Sequence, residues 1–197
     1  MHVLSRGMMV VLFASMALAQ AAQPELPYTQ IKLFTPYAVG KLSQALKPSA
    51  PVKGSCFAAS VADPSRESAW RCTAGNAIMD PCFQDLTSDP NQLACARAPW
   101  ETEITMLSLT HPLPDTDKKT VDRDKAAPWA LELANGDRCS LFTGATAPIG
   151  GMRINYGCPG GGQVIGDMDK SLPVWRVFYQ KQGAPALEQV GVKAAWY

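Results

Sequence analysis

Six cysteines (Cys56, Cys72, Cys82, Cys95, Cys139 and Cys158) follow an apolar N-terminal run, and these two features together restrict the fold more than any others. Arg6 precedes Met8 to Ala19 (MMVVLFASMALA), a run shorter than the about 20 residues of a bilayer-spanning helix but suited to a signal-peptide core. Ala17 and Ala19 supply the small side chains that a cleavage site requires. Residues 1–19 therefore read as a signal peptide whose removal leaves no stable membrane anchor. An even number of cysteines exported into an oxidising compartment predicts disulfides. Nearest-neighbour pairing, Cys56–Cys72, Cys82–Cys95 and Cys139–Cys158, closes loops of roughly 13 to 19 residues, each worth about 3 kcal/mol in chain entropy.

Other uses of the cysteines fit less well. A zinc site favours close cysteine pairs with histidines, but here His111 is the single histidine left after processing and no cysteines lie close together. A catalytic thiol would need an unpaired cysteine. The charge balance is also restrictive. Cleavage after Ala19 removes one base, Arg6, and no acid, so 18 basic against 17 acidic residues becomes an even balance. No net field attracts nucleic acid or an anionic membrane surface.

The 16 prolines point to short elements and many turns. Residues 20–52 read as an extended lead-in. Within it, Thr35-Pro36 resembles a helix cap, and Val39, Leu42 and Leu46 recur at helical spacing, which predicts a short helix over 36–47. Residues 53–197 then change to period-two patterning broken by Gly and Pro. Strands are expected at 53–61, 68–74, 102–109, 128–134, 138–143, 152–158, 163–166, 173–180 and 187–196. Asn135-Gly136 between alternating Trp129-Leu131-Leu133 and Cys139-Leu141 is a hairpin signal, and Pro159 to Gly162 joins a second hairpin. The expected fold is mainly β, a disulfide-stapled antiparallel sandwich or barrel with one short N-terminal helix. The charged stretch 111–128 breaks the pattern and reads as a solvated loop.

Catalytic signals are sparse. His111 has no nucleophile motif near it, and neither a G-x-S-x-G elbow nor an S-x-x-K motif is present. Glu101 and Glu103 fall on one strand face, where paired acids could serve a hydrolase, yet acids so placed are usually solvated. Asp115 and Asp117 lack the glycine of a calcium loop, and Asp167 and Asp169 fare no better. Gly160 to Gly162 is a tight connection rather than a phosphate cradle. No cofactor motif occurs. The densest unusual stretch, Ser68 to Phe83, reads as a core turn tethered by cysteines; Trp70, Arg71, Asn76 and Asp80 could converge there as a pocket.

The runs AWRCTAGNAIMDPCF, CARAPW, PWALELANGDRC, INYGC and AAWY resemble an uncharacterised family of secreted bacterial proteins, across most of residues 54–197. That resemblance implies export and a shared cysteine-bearing domain, and it brings no activity. The expected function is a periplasmic or secreted, non-enzymatic module that binds or inhibits a protein, or binds a cell-wall glycan. Trp70, Trp100, Trp129, Trp175 and Trp196 are its candidate contact residues. The alternatives are an envelope hydrolase using carboxylates or His111, and a structural envelope protein.

Overall fold

The computed structural model describes residues 27–87, 89–115 and 120–197. The expected signal peptide, residues 20–26 and part of the charged loop (116–119) lie outside the described residues. Four short strands come first: β1 (Gln30–Lys32), β2 (Tyr37–Ala38), β3 (Lys41–Leu42) and β4 (Lys47–Pro48). They are followed by β5 (Val52–Ala59), β6 (Ala69–Ala74), β7 (Ala77–Gln84), β8 (Gln92–Cys95) and β9 (Glu103–Leu109). The remaining strands are β10 (Ala130–Leu133), β11 (Arg138–Leu141), β12 (Pro148–Ile149), β13 (Met152–Gly157), β14 (Gln163–Asp169), β15 (Arg176–Gln180) and β16 (Glu188–Trp196). No helix occurs among the described residues.

Of sandwich and barrel, the chain adopts barrels, and it builds two. In the first, β5 to β9 run as an antiparallel meander and β9 returns to pair with β5 in parallel. Its interior holds two bridges, Cys56–Cys72 across β5 and β6 and Cys82–Cys95 across β7 and β8, packed with Trp70, Leu93 and Leu107. In the second, β10, β11, β13, β14, β15 and β16 follow one another around an antiparallel ring that β16 closes onto β10. Leu131, Leu133, Tyr156, Val164, Val177 and Val192 fill it, and Cys139–Cys158 ties β11 to the residue after β13. The nearest-neighbour pairing is the one found, and the expected Asn135-Gly136 turn joins β10 to β11.

Three expectations need correction. Residues 36–47 are not helical. Tyr37 pairs with Leu42 across a hairpin whose turn, Val39 (φ 50°) and Gly40 (φ 72°), lies in the left-handed region. A Cβ at Gly40 would sit 2.8 Å from the Thr87 hydroxyl, so the glycine both makes the turn and lets it approach the first barrel. The three-and-four spacing misleads because Val39 points wholly into solvent, while Tyr37, Leu42 and Leu46 pack inward. Secondly, Ser68 to Phe83 is more than a tethered turn: the strand expected at 68–74 is present as β6, and it pairs with β7, which has no expected counterpart, in a long hairpin around Gly75-Asn76 with Pro81 inside the second strand. Thirdly, β8 has no counterpart among the expected strands, being four residues long with one exposed position.

The two barrels pack side by side. Phe34, Phe83 and Trp129 form an aromatic cluster between them, with ring centroids 5.1 to 5.8 Å apart. Arg66 clasps the same junction. Its guanidinium lies 4.7 Å over the Phe83 ring, donates to the Phe34 carbonyl at 2.6 Å and pairs with Asp63 at 3.1 Å. Burial lowers the pKa of Arg66 and Asp63 opposes that shift. Residues 27–48 form a strap across both barrels: β1 lies parallel to β16, and β4 lies parallel to β9. The charged stretch runs from one barrel to the other. Its far part is fastened where Val121 N–H donates to the Pro64 carbonyl, and where Lys170 donates to the carbonyls of Asp124 and Ala126.

Candidate functional site

Of the four residues expected to converge, the structure brings together Arg71 and Asp80. Successive strand residues face opposite sides, so with Trp70 and Cys72 buried in the first barrel, Arg71 emerges between them on the outer surface. A register irregularity falls between Trp70 and Cys72, at this spot. Asp80 stands on the neighbouring strand, 3.9 Å from the Arg71 guanidinium. Its carboxylate accepts hydrogen bonds from the Ser60 hydroxyl and from the N–H groups of Val61 (3.1 Å) and Ala62 (3.4 Å). Burial raises the Asp80 pKa, and these donors with Arg71 pull the other way. Trp70 is turned into the barrel interior, and Asn76 sits exposed at the hairpin tip. The Arg71 guanidinium also donates to the Thr143 carbonyl at 2.9 Å, so it links the outer wall of the first barrel to the second.

Around this pair lies an apolar surface that alternation from the cysteines could have revealed. Cys56 points inward, so Phe57 points outward. It is 51% exposed, with the Arg71 guanidinium 5.9 Å from its ring. Val61, whose N–H holds Asp80, is 48% exposed, and Ile78, two residues before Asp80 on the same strand, is 58% exposed. Phe142, adjacent to Thr143, adds an exposed ring from the second barrel.

The tryptophans give a different picture. Trp70 and Trp129 are buried. The half-buried ones each carry a cation from the chain itself: Arg138 lies over Trp100 at 5.6 Å, Lys170 over Trp175 at 4.8 Å and Lys32 over Trp196 at 4.8 Å. Lys32 also pairs with Glu132 at 2.9 Å, and Trp196 Nε1 donates to the same carboxylate at 2.9 Å. Burial alone would raise the Glu132 pKa; the bonds from Lys32 and Trp196 outweigh it and hold the carboxyl below its ordinary value.

The remaining candidates stay dispersed. His111 is exposed, with Nδ1 3.0 Å from the Thr110 hydroxyl. Glu101 and Glu103 are exposed, and Asp169 accepts from the Ser171 N–H in a local turn. Gly162 is filled from behind by the Tyr179 ring, whose hydroxyl donates to Asp137, so the Gly160 to Gly162 segment is a packed connection. Burial first and then Asp137 push the Tyr179 pKa up to about 12. Among the described residues no cluster of three or more His, Cys, Asp or Glu side chains could hold a metal ion. Asp117 lies outside the described residues. No family model, curated protein or solved structure matches the chain.

Proposed function

We propose that the chain is an exported, non-enzymatic binding module whose ligand is a protein, received on the outer face formed by Phe57, Val61 and Ile78 around Arg71. The observation that carries this reading is the exposure of three large apolar side chains about one guanidinium held by Asp80 and Thr143. Apolar side chains around an anchored arginine suit a protein contact, where a few such groups supply most of the binding energy. A glycan would stack on open tryptophan faces, and here Arg138, Lys170 and Lys32 cover the half-buried ones. A periplasmic or extracellular site of action accords with three disulfides.

The test is affinity capture from envelope and extracellular fractions with immobilised oxidised protein, beside a Phe57→Ser/Ile78→Ser variant. Both positions are exposed, so the variant should melt as the parent does. A protein species retained by the parent and lost with the variant supports the reading. An identical set of retained species for both, or retention of peptidoglycan fragments alone, overturns it.

A further inference from the structure

We propose that β1 is an association edge through which two copies of this chain pair, strand against strand, about a twofold axis. The direction of the main chain carries the argument. Tyr197 N–H donates to the Lys32 carbonyl, and Phe34 N–H donates to the Tyr197 carbonyl. In a parallel ladder this alternation turns Gln30, Lys32 and Phe34 toward β16 and its continuation, and turns the N–H and C=O groups of Ile31 and Leu33 the other way. β1 is the end strand of its sheet among the described residues, so those groups face an edge on which none of those residues adds a further strand. Upstream, Thr29 N–H donates to the Pro173 carbonyl, which limits the open stretch to Ile31–Leu33.

Protein edges are commonly guarded by charge, proline or a bulge; Ile31–Leu33 has no proline and no bulge, and its one charge is engaged elsewhere. Ile31 is 47% exposed and Leu33 is 49% exposed. The single charge on the strand, Lys32, is drawn aside to Glu132 at 2.9 Å and over Trp196. A second copy fits such an edge better than a charged peptide does, because a surface with its one cation neutralised meets its own image without like-charge repulsion. Antiparallel pairing centred on Lys32 sets Ile31 of each copy opposite Leu33 of the other, and both residues then exchange N–H and C=O bonds. The axis closes the assembly at two copies.

The contact is small, so association should be weak and concentration-dependent. Sedimentation velocity on the oxidised protein, from about 1 μM to about 300 μM, reads it. Ile31→Pro removes a donor that faces the edge and leaves the β16 ladder bonds in place, and Leu33→Lys adds the missing guard charge. The expected result is a reversible dimer whose dissociation constant rises at least about tenfold in both variants, with thermal unfolding unchanged in Leu33→Lys. A parent that stays monomeric over the whole series overturns the proposal. So does a dimer that either variant leaves as tight as in the parent.

Discussion

A buried carboxylate is tolerated when donors replace the water it has lost, and Asp80 shows how completely one side chain can depend on this. Its oxygens take up the Ser60 hydroxyl and two consecutive N–H groups, while Arg71 supplies charge from the side. The Ser60 oxygen in turn accepts from the Asp63 N–H at 2.8 Å, so the turn after β5 is folded around this carboxylate. Asp80→Ala would leave the Ser60 hydroxyl and the Ala62 N–H, both part-buried, without their acceptor, at about 1–3 kcal/mol for each one left unsatisfied, while the exposed Val61 N–H can turn to water. We expect a loss of about 3 kcal/mol in urea unfolding of the oxidised protein. Asp80→Asn keeps one acceptor and should lose distinctly less. Equal losses for the two variants would mean that shape, and not hydrogen bonding, fixes this turn. The sequence offered Arg71 and Asp80, with Asn76 and Trp70, only as residues that could converge in one dense stretch. Alternation does separate Trp70 from them: Cys72, two residues on along β6, points inward, and so Trp70 does too while Arg71 does not.

At the level of strands, the meander order is what made much of the fold readable. Neighbours in the barrels are mostly neighbours in the chain, so each hairpin advertises itself through its turn. Asn135-Gly136 is the clearest instance: Gly136 has φ of 92°, and Asp137 N–H donates to the Asn135 side chain at 3.1 Å. Nothing lies within 4 Å of a Cβ placed on Gly136, so Gly136→Ala isolates the backbone term from any clash. Thermal melting should show a loss of about 1 kcal/mol or more, because alanine is disfavoured at positive φ. An unchanged melting temperature would show that the turn relaxes to another type. Where the signals failed, the cause was local. Ala77 to Gln84 contains a proline and lacks regular alternation, since one half pairs at an exposed hairpin end and the other enters the junction between barrels. Val39-Gly40 hid a hairpin because Val39 is an apolar residue that packs against nothing, placed at a spacing that mimics a helix.

The division into two barrels was the least readable feature, and the reason lies in the junction. Phe34, Phe83 and Trp129 have the character of core residues and stand at positions that a single sheet stack would equally bury. The charged stretch 111–128 reads as a solvated loop within one β domain, because composition alone does not tell a surface excursion from a connection between bodies. The first barrel has two bridges and the second has one, and each has its own interior cluster, so each keeps a cross-link when the contact between them loosens. The aromatic junction is therefore the element expected to couple their unfolding. Trp129 is 2% exposed and stacks on Phe83 at 5.8 Å, with Phe34 edge-on at 5.1 Å. Trp129→Ala should cost about 3–5 kcal/mol as a buried aromatic truncation. Its more telling effect should be on cooperativity. Hydrogen exchange in the parent should protect β5 to β9 and β10 to β16 to similar limits, whereas the variant should expose one barrel's strands well before the other's. Arg66 and the strap through β1 and β4 still tether the pair, so the variant remains compact while its halves open separately. If exchange in the variant stayed uniform over both barrels, coupling would have to run through the strap and Arg66, and the aromatic cluster would be filling and no more.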